Sequence, residues 1–308
     1  MWLAVAAAAL AQTAPPLLAA RWLAPGADPV RALAYAPSEC LARPTDPDAA
    51  LAVEVGRAAF RTPLLLGGQA ARAGLSCEAC HRSGRGNPDF AFPGISGPPG
   101  TADVTHSLFS TRRGNGVHDP RPIPDLSGPA ADLKVARTPD ASALKTFTHG
   151  LVVEEFDGRA PPQPVMDGLV AYVRALDPAA CPTEAVAPVR LAGYMDDARR
   201  AFAAADAMAG RGEPDTAAFL ILAARSRLAL IDERYAAFPG ERARLAGAAR
   251  RLGPIAEALR ARDPAAPTDL RRWIADSHAL ERRLAAREPK SLFDPSHLAA
   301  AYGRRLPR

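Results

Sequence analysis

The chain has 308 residues, of which 48% are apolar and 23% charged, an ordinary composition for a globular protein with room for two domains. Its net charge of +5 is unevenly placed, −2 over residues 1–189 and +7 over 190–308. No aromatics interleave with those arginines, which leaves nucleic-acid binding without support and reads as the solvated faces of helices or as a surface for acidic partners or an anionic membrane.

The N-terminus, MWLAVAAAALAQ, holds an apolar run from Trp2 to Ala11, far short of the roughly 20 residues a membrane span needs. Ala9-Leu10-Ala11 fits a small-x-small cleavage site, so residues 1–20 read as a signal peptide, although no Lys or Arg precedes the run. Residues 24–49, rich in Pro, Ala and Asp, read as an extended leader. A helix is predicted next, with Asp46 as its cap, Pro47 in its first turn, and Val53, Gly56 and Phe60 near one face. The glycine-rich bend LLLGGQAARAG leads to Cys77, Cys80 and His81. From Ser83 to about Pro139 turn residues dominate, a length uncommon in a compact domain unless the segment is functional or wraps a bound group. The next clear helix is PPQPVMDGLVAYVRALD, whose Val165, Leu169, Tyr172, Val173 and Leu176 form one apolar stripe. DPAACPTEAVAP follows as a linker. Helical stretches are then predicted at 190–209, 214–237, 240–261, 267–287 and 294–302, a bundle by pattern.

Chemistry concentrates in LSCEACHRSGRG. Cys-x-x-Cys-His is the attachment motif of c-type haem. Thiols three positions apart lie on one side of a helical turn, within reach of the two vinyl groups on one porphyrin edge. The adjacent imidazole then serves as proximal ligand to the iron. A zinc site would need a second ligand pair, yet Cys40 and Cys181 stand alone and no His-x3–5-His occurs. A redox dithiol would want a βαβ context, and the surroundings are helical and loop-rich.

Gly56-x-x-x-Phe60 and LVAYVRAL (Leu169–Leu176) resemble the first and last helices of class I cytochrome c domains, where a small glycine lets the helices cross and an aromatic packs at the crossing; Gly56, Phe60 and Tyr172 match those roles. RPIPDL and EEFDGRAPP resemble the loop-rich half-domains of bacterial di-haem cytochrome c peroxidases. The resemblance covers roughly residues 48–180 and implies an all-α protein: a mono-haem domain over 38–185, then a helical bundle over 190–308. It implies one covalent haem c per chain, held by Cys77, Cys80 and His81, with His81 on the iron. It also implies a periplasmic location outside the bacterial inner membrane and a redox partner protein. Cys40 and Cys181 flank the domain, and a disulfide between them is expected in an oxidising compartment. The peroxidases carry two motifs and this chain one, so a two-haem relay is not contained in it.

The sixth iron ligand would decide the chemistry. By position the candidates are His149, then Met166, then His106 and His118; His278 and His297 receive no role. Arg82, Arg85, Arg112, Arg113 and Arg121 are candidate propionate partners. Glu154, Glu155 and Asp157 offer an acid–base group of the kind a peroxidase needs. One-electron transfer is the favoured reading, ahead of a peroxidase-like enzyme and of a haem-based sensor or assembly protein whose bundle does the work.

Overall fold

The computed structural model describes residues 17–129, 132–137 and 142–303; the apolar N-terminal run and the cleavage site expected at its end lie outside the described residues. Asp28 caps α1 (Pro29–Ala34), its carboxylate accepting from the Val30 amide at 2.9 Å. The chain continues into β1 (Tyr35–Pro37). The segment read as an extended leader therefore carries a helix and a strand. Two of its buried residues, Leu33 and Ala34, pack in a small cluster with Leu17, Leu298 and Tyr302, partners too distant in sequence for a local pattern to show.

α2 (Pro47–Phe60) begins as predicted: the Asp46 carboxylate accepts from the Ala49 amide at 2.8 Å, and Pro47 occupies the first turn. α3 (Gly68–Arg72) and the single turn α4 (Cys77–Cys80) follow. In the long loop, β2 (Thr101–Ala102) pairs antiparallel with β3 (Arg121–Pro122). α5 (Ser142–Gly150) runs into a π-helical turn, Leu151–Glu155, neither of which the sequence pattern announced. α6 (Gln163–Ala175) leads to β4 (Val186–Pro188), which pairs antiparallel with β1, Tyr35 opposite Pro188.

The bundle comprises α7 (Leu191–Gly210), α8 (Pro214–Arg234), α9 (Pro239–Arg260), α10 (Ala266–Ala285) and α11 (Pro295–Gly303), within a few residues of the predicted stretches. The fold is mostly helical, and its strands are two or three residues long.

Two close approaches organise it. α2 crosses α6 at Gly56 and Gly168, where a Cβ on Gly56 would sit 1.8 Å from the Gly168 carbonyl oxygen. No other residue fits there without moving a helix. α7 lies along α8 through Ala198, Ala201 and Ala205 against Ala217, Ala218 and Ala224, all buried, and small side chains permit that tight pairing. α2 also rests on α7 and α8, so one hydrophobic core runs without a break from Phe60 and Tyr172 to Phe202, Leu228 and Trp273.

The loop between α4 and α5 adds aromatic residues to this core. Rings meet in series: Trp22 stacks on Phe92 (4.6 Å between centroids), Phe92 meets Phe109 edge to face (4.9 Å), and Phe109 lies tilted against Phe156 (5.5 Å). Phe90, Ile95 and Phe109 are buried. Aromatic burial substitutes for regular secondary structure in holding this segment.

Candidate functional site

Cys77 and Cys80 sit at the two ends of α4, and neither is paired with another cysteine. The other two cysteines are joined: Cys40 and Cys181 form a disulfide, with their Cα atoms 4.0 Å apart. The chain thus closes its flanks covalently and leaves the motif thiols free. Both residues are partly exposed, while burial of the thiol groups pushes both up to about 12. At neutral pH the thiols are held protonated, which lowers their reactivity as nucleophiles.

His81 follows α4 in a non-helical conformation. Its Nδ1–H donates to the carbonyl oxygen of Pro124 at 3.0 Å. Burial drives the imidazole down to about 4, only partly offset by the Pro124 bond and by Asp125, so the ring is neutral. With Nδ1 committed as donor, Nε2 carries the lone pair. An imidazole fixed in this tautomer is what an iron ligand requires.

The turn is held from several sides. The Asn87 amide donates to the Ala79 carbonyl at 2.9 Å, satisfying one of the carbonyls that a one-turn helix leaves open. The Ser83 amide donates to Glu78 at 3.1 Å, and Ser83 adopts a left-handed φ of 54°. Phe60 lies 6.4 Å from the His81 ring and 5.1 Å from that of Tyr172. Leu126 donates its amide to Gly84 at 3.0 Å, so the strap bearing Pro124 is tied directly to the end of the motif. A cleft of about 440 Å³ borders the strap, lined by Ile123 and Asp125 together with Arg85 and Asn87.

Behind the motif lies a group of buried charges. Glu39 accepts from Arg57 at 2.9 Å, from Arg61 at 2.8 Å and from the Tyr172 hydroxyl at 2.7 Å. Burial alone would raise Glu39, but Arg61, Arg57 and Tyr172 outweigh it and hold the carboxyl at about 2. Asp197, on α7, accepts from Arg57 at 2.6 Å and from Arg61 at 2.7 Å. Against the cost of burial, Arg61, Arg57 and Arg227 hold it well below the usual carboxylate range.

The remaining predicted residues fall as follows. Met166 is buried in the first turn of α6, within the core against which both motif cysteines rest. His149 is exposed near the end of α5. His106 and His118 lie beside one another, rings 6.0 Å apart, and His106 Nδ1 accepts from the Leu108 amide. Arg82 donates to the Tyr35 carbonyl, Arg85 pairs with Asp125, Arg113 with Glu154 and Arg121 with Asp119, while Arg112 is exposed. Asp157 accepts from Thr111. Glu155 is buried, its Oε2 has no hydrogen-bond partner among the described residues, and burial raises its pKa.

Pattern reading quoted RPIPDL without assigning Pro124 a role, and it missed Glu78, Arg61 and Asp197 altogether. Among the described residues, no group of three or more His, Cys, Asp or Glu is placed to hold a metal ion, and no helix is long and apolar enough to cross a membrane. No family model matches the chain, nor does any curated protein or solved structure.

Proposed function

We propose that the chain is an exported mono-haem c-type cytochrome that carries single electrons to or from a partner protein. Cys77 and Cys80 would hold the porphyrin through thioethers, and His81 Nε2 would face the iron. When bound, the haem supplies a one-electron ferric/ferrous couple. The observation that carries the reading is the division of labour in the motif: two free thiols on one turn beside an imidazole whose Nδ1–H is committed to Pro124. The strap through Pro124 fixes the orientation of the His81 ring.

The Cys40–Cys181 disulfide agrees with an oxidising compartment, here the bacterial periplasm. The basic bundle suits an acidic partner or an anionic membrane surface.

Maturation of the full chain in a host competent for c-type haem attachment tests the reading. The pyridine haemochrome spectrum should report one covalent haem per chain, lost in the Cys77→Ala, Cys80→Ala double variant. A chain matured there without covalent haem overturns the proposal.

A second reading, a peroxidase-like oxidoreductase, is favoured by Glu155. A buried carboxyl whose Oε2 has no hydrogen-bond partner among the described residues, raised in pKa and set at the end of a π-helical turn, suits proton transfer. The ferric spectrum separates the two. A six-coordinate, low-spin spectrum unchanged by peroxide removes the enzyme; a high-spin one that responds to peroxide, with the response lost in Glu155→Gln, removes simple electron carriage.

A further inference from the structure

We propose that Asp197 and Arg227, both on the C-terminal bundle, are positioning residues for the Cys77–His81 turn, acting through Arg61 and Glu78. The bundle is then the electrostatic back wall of the motif, and not an appended docking module. The consequence for haem capture rests on the reading above; the test does not.

The contacts run in series. Glu78 is one of the two residues between the motif cysteines. One of its carboxylate oxygens accepts from the Ser83 amide at 3.1 Å, which pins the left-handed residue where the chain reverses after His81. The other lies 3.6 Å from Arg61 Nε, too far for a hydrogen bond, and makes an ion pair only. Arg61, the residue that caps the end of α2, spends its remaining nitrogens on Glu39 and on Asp197. Asp197 is faced in turn by Arg227 Nε at 3.8 Å, from α8. Glu39, Glu78 and Asp197 therefore meet at Arg61, and α8 joins them through Asp197.

The charges balance: three arginines, 57, 61 and 227, against the carboxylates of Glu39, Glu78 and Asp197, with the three arginine side chains at most 9% exposed. Buried charges of this kind cannot be removed singly without leaving another uncompensated. Without Asp197, Arg61 has only Glu39 and Glu78 to compensate it, and the weak 3.6 Å contact must tighten by moving the turn. The local device, Glu78 on Ser83, and the distant one, Asp197 on Arg61, thus act on the same backbone. Two sites that share one intermediary are coupled, and their effects do not add.

The measurement is the rate at which N-ethylmaleimide alkylates Cys77 and Cys80 in the full-length, disulfide-intact chain made without haem. The enclosed thiols of the wild type should react slowly. Asp197→Asn and Glu78→Gln should each accelerate labelling at least about fivefold, the scale on which one buried charge pair governs local opening. The double variant should be no faster than the faster single. Leu284→Ala, which opens a cavity in α10 remote from the network, should lower thermal stability and leave the labelling rate unchanged. If Asp197→Asn does not fold, Arg227→Lys carries the test, keeping the charge but losing the planar fork, with a smaller acceleration in the same direction. Labelling at the wild-type rate in the bundle variants, or effects of Asp197→Asn and Glu78→Gln that multiply, overturns the proposal. Absence of haem from the matured wild type bears on the cytochrome reading alone.

Discussion

The Nδ1–H of His81 donates to the carbonyl oxygen of Pro124, 43 residues further along the chain, across 3.0 Å. This one bond joins the attachment motif to the loop that follows it. It also has a thermodynamic signature. Burial holds His81 at about 4, whereas the unfolded ring titrates near 6.5. The unfolded chain therefore binds a proton first. Stability contributed by neutral His81 is complete above about pH 6.5, falls as pH drops towards 4, and then levels off. The loss should reach up to about 3 kcal/mol in the haem-free chain. Urea unfolding at pH 7.5, 6, 5 and 4 should show this slope in the wild type and its absence in His81→Gln. Parallel curves for the two chains would show that the imidazole is not held neutral.

Gly56 should tolerate no side chain. An added Cβ would meet the Gly168 carbonyl oxygen at 1.8 Å, and backbone, unlike the tip of a side chain, cannot step aside. Gly56→Ala should cost at least about 3 kcal/mol, at the upper end of overpacking effects, or abolish folding. Gly193→Ala, where nothing lies within 4 Å, serves as the control and should leave the melting temperature unchanged or slightly higher. A wild-type melting temperature in Gly56→Ala would mean that α2 and α6 do not cross here.

How much of this was legible beforehand follows from how local each signal is. The start of α2 was readable because cap and first turn are neighbours, Asp46 and Pro47. The longer bundle helices were readable because apolar residues recur along one face, Leu191 to Ala205 over about four turns in α7. α5 was not, since it is nine residues long and buries only Leu144, too short for a repeating stripe. β1 and β4 were not, because each is three residues long and its partner is some 150 residues away. At the site, the spacing of Cys77, Cys80 and His81 carries its own chemistry. Asp197 carries none in sequence. It reads as one acid on the solvated face of a helix, and only the packing of α7 against α2 buries it between two arginines.

The Cys40–Cys181 disulfide closes a segment of 141 residues and lies beside the antiparallel pairing of β1 with β4. Its removal frees the two ends of that segment in the unfolded chain. The Cys40→Ser, Cys181→Ser double variant should lose about 2–5 kcal/mol, the range for removal of a native disulfide, with the long loop favouring the upper end. Because the motif thiols are enclosed, the oxidised wild type should release few free thiols to Ellman's reagent when native and two when unfolded. Four thiols on unfolding without reductant would show that the bridge does not form.

Tyr172 offers a test of the buried charges that leaves every charge in place. Its hydroxyl donates to Glu39 at 2.7 Å, and Tyr172→Phe removes that donor while keeping the ring beside Phe60. A hydrogen bond to an ionised group contributes about 1.5–3 kcal/mol, and that is the expected loss at pH 7. The pH dependence follows from the lowered value. Glu39 titrates at about 2 when folded, against an ordinary 4.5, so its stabilisation is complete above about pH 4.5 and is lost as pH falls through 2. Without the tyrosine donor the folded carboxyl moves upward, and acid unfolding should begin at higher pH in Tyr172→Phe than in the wild type. Circular dichroism along an acid titration from pH 7 to 1.5 reads this directly. Coincident curves would mean that Tyr172 and Glu39 do not meet.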